Sequence, residues 1–454
     1  MSKNETVMLT IYDLHSNGHG VGKGIDGIAV FVSGALPGDE LKAKIIKVKK
    51  HYAYGRIVEI IKPSPQRLSV DNSNICPVSE RCGGCQYQCY DYAAQLAFKE
   101  KLVRDALVRI GHCEAPPMAP ILGMDKPYRY RNKAQFPVGQ ENGKPVVGFY
   151  APRSHRIVPI MDCNIHHPAC GEVLRVVQGL LEAYPIPIYN EETHTGLLRH
   201  VVVRVGFNTG RPDEVMVIFV LNGRTLPDDC VEAVKNALPA TYTLVINENK
   251  ARTNVILGSK FTVLQGSGYI HEMIGDIRYR ISPKAFFQVN PAQTKVLYDV
   301  VAGHLNGGER VVDAYSGIGG IALYIADKAQ NVVAIESVAE AVDDGIYNAA
   351  LNNIENVKFL CGPAEDLVPD LLAQNEGFDV LILDPPRKGC DSRLLEAAIS
   401  VDIPKIIYVS CDPATLARDV KLLGEGGYHI THVQPVDLFP MTGHVETVCV
   451  LKRK

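Results

Sequence analysis

The 454-residue chain lacks any apolar run approaching the roughly 18 consecutive residues of a membrane span. Its opening residues, Met1-Ser2-Lys3-Asn4-Glu5-Thr6, lack the basic-then-apolar order of a secretory signal. These absences lead to the expectation of a cytoplasmic protein with no membrane partner; the chain is separately expected to act as a monomer. Without a signal, the twelve cysteines do not read as a disulfide framework. They point instead to metal binding, catalysis or plain burial. A strong charge of one sign is also missing. The net charge of −3 does not announce nucleic-acid binding, although a compact basic face fits inside a near-neutral chain. The glycines near residue 20 are not followed by the Gly-Lys-Ser/Thr ending of a phosphate loop.

What is present begins with a candidate small β barrel over residues 1–67. Val7–Ile11 and Ile28–Val32 read as strands, with Gly18, Gly20, Gly22 and Gly24 as a flexible turn between them. Leu41–Lys50 is a basic strand carrying Lys47 and Lys49, followed by His51, Tyr52 and Tyr54. Ammonium groups beside aromatic rings suit RNA, the first meeting phosphates and the second stacking on bases. The plainer alternative is a solvated edge strand whose lysines block aggregation.

Cys76, Cys82 and Cys85 form a C-x5-C-G-G-C pattern. Two glycines between close thiols let the backbone fold tightly around a soft metal centre. A fourth ligand must come from elsewhere, with Cys89 and Cys163 as candidates, and zinc accepts the same donors. Residues 91–112 read as an amphipathic helix through Leu96, Leu102, Ala106, Leu107 and Ile110. In Tyr128-Arg129-Tyr130-Arg131-Asn132-Lys133, strand alternation puts Arg129, Arg131 and Lys133 on one face, open to phosphate contact or simply to solvent. Val201–Val205, Val215–Val220 and Leu244–Ile246 predict an antiparallel central sheet.

From about residue 285 strands and helices alternate. Arg310–Asp313 is a strand that runs into Ala314-Tyr315-Ser316-Gly317-Ile318-Gly319-Gly320 and an apolar helix. Val332–Glu336 is the next strand, and Glu336 lies 23 residues after Asp313. A carboxylate about 20 residues on can accept both ribose hydroxyls of a nucleoside cofactor. The glycine spacing departs from the dinucleotide pattern G-x-G-x-x-G, which favours S-adenosylmethionine. Phe378–Leu383 is a strand that ends in Asp384-Pro385-Pro386-Arg387, whose prolines fix a rigid turn facing the crevice.

Ile406–Val409 is a further buried strand, followed by Ser410-Cys411-Asp412-Pro413. A thiol at the carboxyl end of a strand in an open parallel sheet is placed to be a nucleophile, whereas most free cysteines are small core residues. Carbon 5 of uracil is too weak a nucleophile to attack a sulfonium. A thiolate adding at carbon 6 makes carbon 5 enolate-like, and a base must later remove its proton. Cys411 fits the covalent role and Glu446, in Gly443-His444-Val445-Glu446-Thr447, fits the base. A cytosine carbon-5 methyltransferase would leave Glu446 idle. A non-catalytic RNA assembly factor would leave Cys411 idle.

Residues 5–62 resemble a TRAM domain, an RNA-binding barrel. Phe286-Phe287-Gln288-Val289-Asn290, Asp313–Gly320, Asp384–Gly389, Ser410–Asp419 and His444–Val448, with the cysteine pattern, closely resemble the RNA 5-methyluridine methyltransferases that carry a TRAM domain and an iron–sulfur cluster. The resemblance runs through essentially the whole chain. It implies a multidomain α/β protein: an OB-like barrel over 1–67, a central antiparallel β domain with the iron–sulfur motif over 68–270, and a Rossmann-like methyltransferase domain over 271–454, on which helix 91–112 packs. It implies S-adenosyl-L-methionine as cofactor, with Gln288, Tyr315, Glu336 and Asp384 contacting it or ordering the site. It implies Cys411 as nucleophile, Glu446 as base, and a 4Fe–4S cluster on Cys76, Cys82, Cys85 and Cys163. The implied substrate is 23S ribosomal RNA, with the T-loop of tRNA as the alternative. Ser316 stands where the family often has Cys, Gly443 precedes His444, and Gly320 occupies a position that can be polar in relatives.

Overall fold

The structure, a computed structural model, describes residues 1–69, 72, 74–207, 210, 213–374 and 377–454. Five strands close a barrel in the order β1-β2-β3-β5-β4: β1 Thr6–Leu14, β2 His19–Lys23, β3 Ala29–Ser33, β4 Glu40–Val48 and β5 Tyr52–Lys62. Leu9, Ile11, Val30, Val32, Leu41 and Ile45 fill its interior at alternate positions. The glycine-rich stretch is not a turn throughout. Gly20 and Gly22 lie within β2, where a side chain on Gly20 would meet the Ala35 carbonyl at 2.6 Å. Only Gly18, with φ 82°, serves the preceding turn.

Helix α1, Tyr92–Arg109, starts at Asp91, whose side chain accepts from the Ala94 N–H. Its buried face is Ala94, Gln95, Phe98, Lys99, Val103 and Leu107; of the predicted stripe Leu107 is buried, Leu96, Leu102 and Ala106 are half-buried at its edge and Ile110 is exposed. Two buried polar residues shifted that stripe. Ala94 and Phe98 pack with Leu14 and Leu36 of the barrel, while Val103 and Leu107 enter the core of the C-terminal sheet. The helix therefore joins two clusters, one shared with the barrel and one with the C-terminal sheet.

The central sheet has the order β12-β11-β10-β9-β6-β7-β8. Its elements are β6 Lys133–Glu141, β7 Lys144–Tyr150, β8 Ile157–Pro159, α2 Pro168–Ala183, β9 Leu198–Gly206, β10 Glu214–Leu221, α3 Asp228–Ala237, β11 Thr243–Glu248 and β12 Lys260–Gln265. It is mixed rather than antiparallel: β10 and β11 run parallel, linked by the crossover helix α3. Val201, Val203 and Val205 face α2 and α3, whereas Val202 joins the catalytic core on the other face. β9 is buried along its whole length because both faces are covered.

A hairpin, β13 Ile270–Ile274 and β14 Ile277–Ile281, leads into the C-terminal sheet, ordered β17-β16-β15-β18-β19-β21-β20. The elements are α4 Pro291–Gly303, β15 Glu309–Ala314, α5 Gly320–Tyr324, β16 Ala329–Glu336, α6 Ala339–Leu351, β17 Val357–Cys361, α7 Ala364–Ala373, β18 Val380–Leu383, α8 Ser392–Ser400, β19 Lys405–Ser410, α9 Pro413–Glu425, β20 Tyr428–Val436 and β21 Glu446–Arg453. β17 through β19 are parallel, and β21 inserts antiparallel between β19 and β20. The strand order reverses between β15 and β18, which opens a crevice at their carboxyl ends.

Candidate active site and cysteine pocket

A cleft of about 760 Å³ lies at that reversal, and Gln288, Tyr315, Glu336, Asp384, Cys411 and Glu446 all line it. Each comes from a different segment. Tyr315 follows β15 with φ 68°, a left-handed conformation that a tyrosine holds only under constraint from its surroundings. Glu336 ends β16, and its carboxylate accepts from the Gly317 N–H at 3.1 Å and the Val338 N–H at 2.8 Å. This ties the glycine turn to the next strand.

Cys411 follows β19 directly. Pro413 does more than end the strand: it opens α9, with Asp412 as cap accepting from the N–H groups of Ala414 and Thr415. Glu446 is the first residue of β21, and because β21 runs antiparallel its start lies at the carboxyl ends of its neighbours. Ser410 pairs with Thr447, so Cys411 and Glu446 leave adjacent strands at the same level.

The electrostatics follow from burial. Glu446 is 3% exposed, and burial with the nearby Asp384 pushes its carboxyl up to about 8, while Arg387 acts against this. Burial raises Asp384 to about 7. The Cys411 thiol is pushed up to about 11 by burial, then by Glu446 and Asp384, again opposed by Arg387. His444 stands on the same wall with solvent access, and partial desolvation and the cations around it hold its imidazole below the usual range.

Sequence reasoning did not place Asp313, Arg387 or His444 among the site residues. Asp313 is fully buried at the cleft wall, neither carboxylate oxygen has a side-chain hydrogen-bond partner among the described residues, and burial beside Asp384 raises it well above the usual range, opposed by the Ala322 backbone N–H. Its position as the acid at the end of β15 was the available signal. Asp313, Asp384 and Glu446 together make the cleft rich in carboxyl groups and suited to a cationic ligand.

A second cleft of about 430 Å³ shares Arg131, Phe286, Val289, Arg387, Phe439 and His444 with the first. Cys76, Cys82, Cys85 and Cys163 line it. The Gly84 N–H donates to Cys82 Sγ at 3.4 Å and Gln88 Nε2 to Cys85 Sγ at 3.4 Å, and His166 Nδ1 lies 3.1 Å from Cys163 Sγ. Cys89 stands outside this cleft and accepts from Arg67. Among the described residues no group of three or more His, Cys, Asp or Glu is arranged to hold a metal ion as it stands.

The basic residues separate. Arg129, Arg131 and Lys133 do not share a strand face. Arg129 sits before the strand with φ 57° and clamps Asp162 through two 2.7 Å bonds. Lys133 begins β6 at the cysteine cleft, where burial, Arg204 and Arg131 lower its ammonium to about 7. Of these three, Arg131 lines both clefts. Lys47 and Lys49 are exposed on the barrel.

A model of the tRNA (uracil-5-)-methyltransferase family matches residues 91–454, and a TRAM-domain model matches residues 2–58. The chain is 48% identical, over 100% of its length and 98% of the other's, to a Halalkalibacterium halodurans protein named as an uncharacterized RNA methyltransferase. It is 46% identical, with the same coverage, to a Bacillus cereus protein of the same name. Its fold is similar to that of the Pyrococcus abyssi tRNA (uracil-54, C5)-methyltransferase in complex with S-adenosyl-L-homocysteine, with a TM-score of 0.79 and 27% identity over 98% of this chain and 100% of that one. With a family match over most of its length, on a fold that gathers an acid, a thiol and a second acid at one crevice, the chain belongs to the tRNA (uracil-5-)-methyltransferase family, with a TRAM domain ahead of the family region.

Proposed function

We propose that this protein methylates carbon 5 of a specific uridine in 23S ribosomal RNA through a covalent adduct. The observation that carries the reading is Cys411 and Glu446 at the heads of adjacent antiparallel strands, above one carboxyl-rich cleft. Bound S-adenosylmethionine supplies the methyl group as a sulfonium electrophile. Its cationic centre suits Asp313, whose oxygens lack a side-chain partner among the described residues, and Glu336, Tyr315, Gln288 and Asp384 complete its surroundings.

The target base enters the cleft unstacked, because carbon 6 is out of reach inside a duplex. Cys411 reacts as the thiolate, its proton lost to solvent: Sγ bonds to carbon 6, and the displaced electron pair makes carbon 5 the nucleophile that takes the methyl group as the sulfonium carbon–sulfur bond breaks and S-adenosylhomocysteine is left. Glu446 then removes the proton from carbon 5. That electron pair re-forms the 5,6 double bond, the carbon–sulfur bond breaks, and the thiolate returns. Arg387 favours both the thiolate and the ionised base.

The remaining assignments share this reading. Cys76, Cys82, Cys85 and Cys163 are assigned to a 4Fe–4S cluster, because all four line one cleft and two of the sulfurs already receive N–H donors. Lys47, Lys49 and Arg131 are assigned to RNA contact, whereas Arg129 is committed to Asp162. The protein is assigned to the cytoplasm as a monomer, divided at residues 67 and 270. The ribosomal substrate rests on the resemblance, which joins barrel and cysteine pattern in one chain. A second reading, uridine in the tRNA T-loop, is favoured by the family description and by the named substrate of the Pyrococcus abyssi enzyme.

The test uses air-free protein, labelled S-adenosylmethionine and total RNA from a strain lacking the gene, size-separated and digested to nucleosides. Labelled 5-methyluridine is expected in the large ribosomal RNA. Label in tRNA selects the second reading, and no 5-methyluridine in any fraction overturns both.

A further inference from the structure

The segment between β20 and β21 carries Phe439 and His444 into the cleft and ends on Glu446. Its middle is held from outside the catalytic sheet. Gln86 and Tyr87, the two residues after Cys85, both donate their backbone N–H to the Met441 carbonyl at 3.0 Å. The Gly443 N–H donates to Gln86 Oε1 at 3.2 Å. Gln95 of α1 is fully buried. Its amide nitrogen donates to the carbonyls of Tyr87 at 3.1 Å and Tyr90 at 2.8 Å, and its oxygen accepts from the Met441 N–H at 3.1 Å.

Met441 has φ 67°, a conformation that a long side chain keeps only where its surroundings over-determine it. Both of its backbone polar groups are held by the cysteine loop and α1, and its side chain packs in the cluster that Cys85 and Cys163 border. The barrel closes the arrangement from another side: a Cβ on Gly443 would lie 2.0 Å from the Ser16 carbonyl. Cys411 takes no part in this clamp, since it hangs from β19 and the cap of α9.

We infer that Gln86 and Gln95 are positioning residues for the proposed base: they lock the turn at Met441–Gly443, so that the cysteine loop sets where His444 and Glu446 stand. The inference rests on the proposed covalent mechanism and deepens it. It separates two steps of that reaction. Adduct formation depends on Cys411 and is independent of the clamp, whereas proton removal and release depend on it.

The test compares Gln86→Ala, Gln86→Met and Gln86→Glu with the wild type and with Glu446→Gln, using labelled S-adenosylmethionine and total RNA from a strain lacking the gene. Adduct is read as RNA that stays bound to protein under denaturing conditions. Gln86→Met keeps side-chain volume and removes the acceptor together with the 3.5 Å donation to the Gly83 carbonyl, and Gln86→Glu loses that donation but keeps an acceptor for the Gly443 N–H. Gln86→Ala and Gln86→Met are expected to form adduct and bind cofactor as the wild type does, and to release product about tenfold more slowly, equivalent to roughly 1.4 kcal/mol in the barrier. Gln86→Glu is expected to restore release.

Normal release in Gln86→Met, or equal loss of adduct formation, cofactor affinity and melting temperature in that variant, overturns the inference. If Glu446→Gln itself accumulates no adduct, the covalent reading falls first. If Glu446→Gln accumulates adduct and Gln86→Met does not, only the positioning role is lost.

Discussion

Ser410 lies opposite Thr447 in the antiparallel pair of β19 and β21, and this one register puts Cys411 and Glu446 side by side at the head of the sheet. The thiol follows a strand whose carboxyl end faces the crevice, and the carboxyl opens a strand running the other way.

The two residues have separable expected defects. Cys411→Ala should lose both turnover and the covalent RNA adduct. Glu446→Gln should accumulate a methylated adduct, because the proton on carbon 5 has no acceptor. Denaturing gels with labelled RNA and labelled cofactor distinguish them. Free methylated RNA released by Glu446→Gln at the wild-type rate would remove Glu446 from the base role.

The raised carboxyls set a pH dependence with a definite sign. Asp384 at about 7 and Glu446 at about 8 hold protons in the folded, ligand-free protein that ordinary carboxyls release near pH 4. Their contribution to stability is fully present below about pH 4, falls as the pH rises above that, and is lost once the pH has passed 7 to 8. A cationic ligand favours the ionised carboxyls, so S-adenosylmethionine should bind about tenfold more tightly at pH 8.5 than at 6.5, as a carboxyl titrating between 7 and 8 passes from mostly protonated to mostly ionised. Calorimetric titration checks this, and affinity independent of pH would contradict it. Turnover should rise through pH 8 as Glu446 ionises, and Arg387→Gln should move that rise to higher pH.

The cysteines make a compositional prediction. Cys163→Ser should lower iron content and visible absorbance in protein purified without air, and Cys89→Ser should leave both unchanged. Cys163 lines the cysteine cleft and Cys89 does not. The reverse pattern would transfer the fourth-ligand role.

Lys99 and Asp437 form an ion pair at 2.6 Å, both fully buried, and Lys99 also donates to the Phe439 carbonyl at 2.9 Å. Lys99→Met strands the carboxylate, so it should destabilise the protein by roughly 3–5 kcal/mol. The double change Lys99→Met with Asp437→Leu should recover much of that loss. Denaturant titration measures both, and equal stability of the single variant and the wild type would rule the pair out as a support of this segment.

Much of the site was legible in the chain because its parts are local. Strand, acid and glycine turn at Asp313–Gly320, the prolines after Asp384 and the Ser-Cys-Asp-Pro run each specify a strand end and the group it presents. The barrel was legible through alternation, although Gly20 and Gly22 were misread because close backbone approach and a turn both select glycine. The face of α1 was misplaced because Gln95 and Lys99 are buried by partners more than 300 positions away, at Met441 and Asp437.

By itself the sequence marked which residues are candidates for the chemistry, and the strand ends of the C-terminal region that present them. Only the tertiary structure decided that β10 and β11 run parallel, that Arg129 is committed to Asp162, and that the cysteine loop grips the turn before Glu446. The physical reason is range. Propensity, pattern and turn chemistry act over a few residues, whereas burial of a charge and satisfaction of a buried N–H depend on whichever distant segment the packing brings alongside.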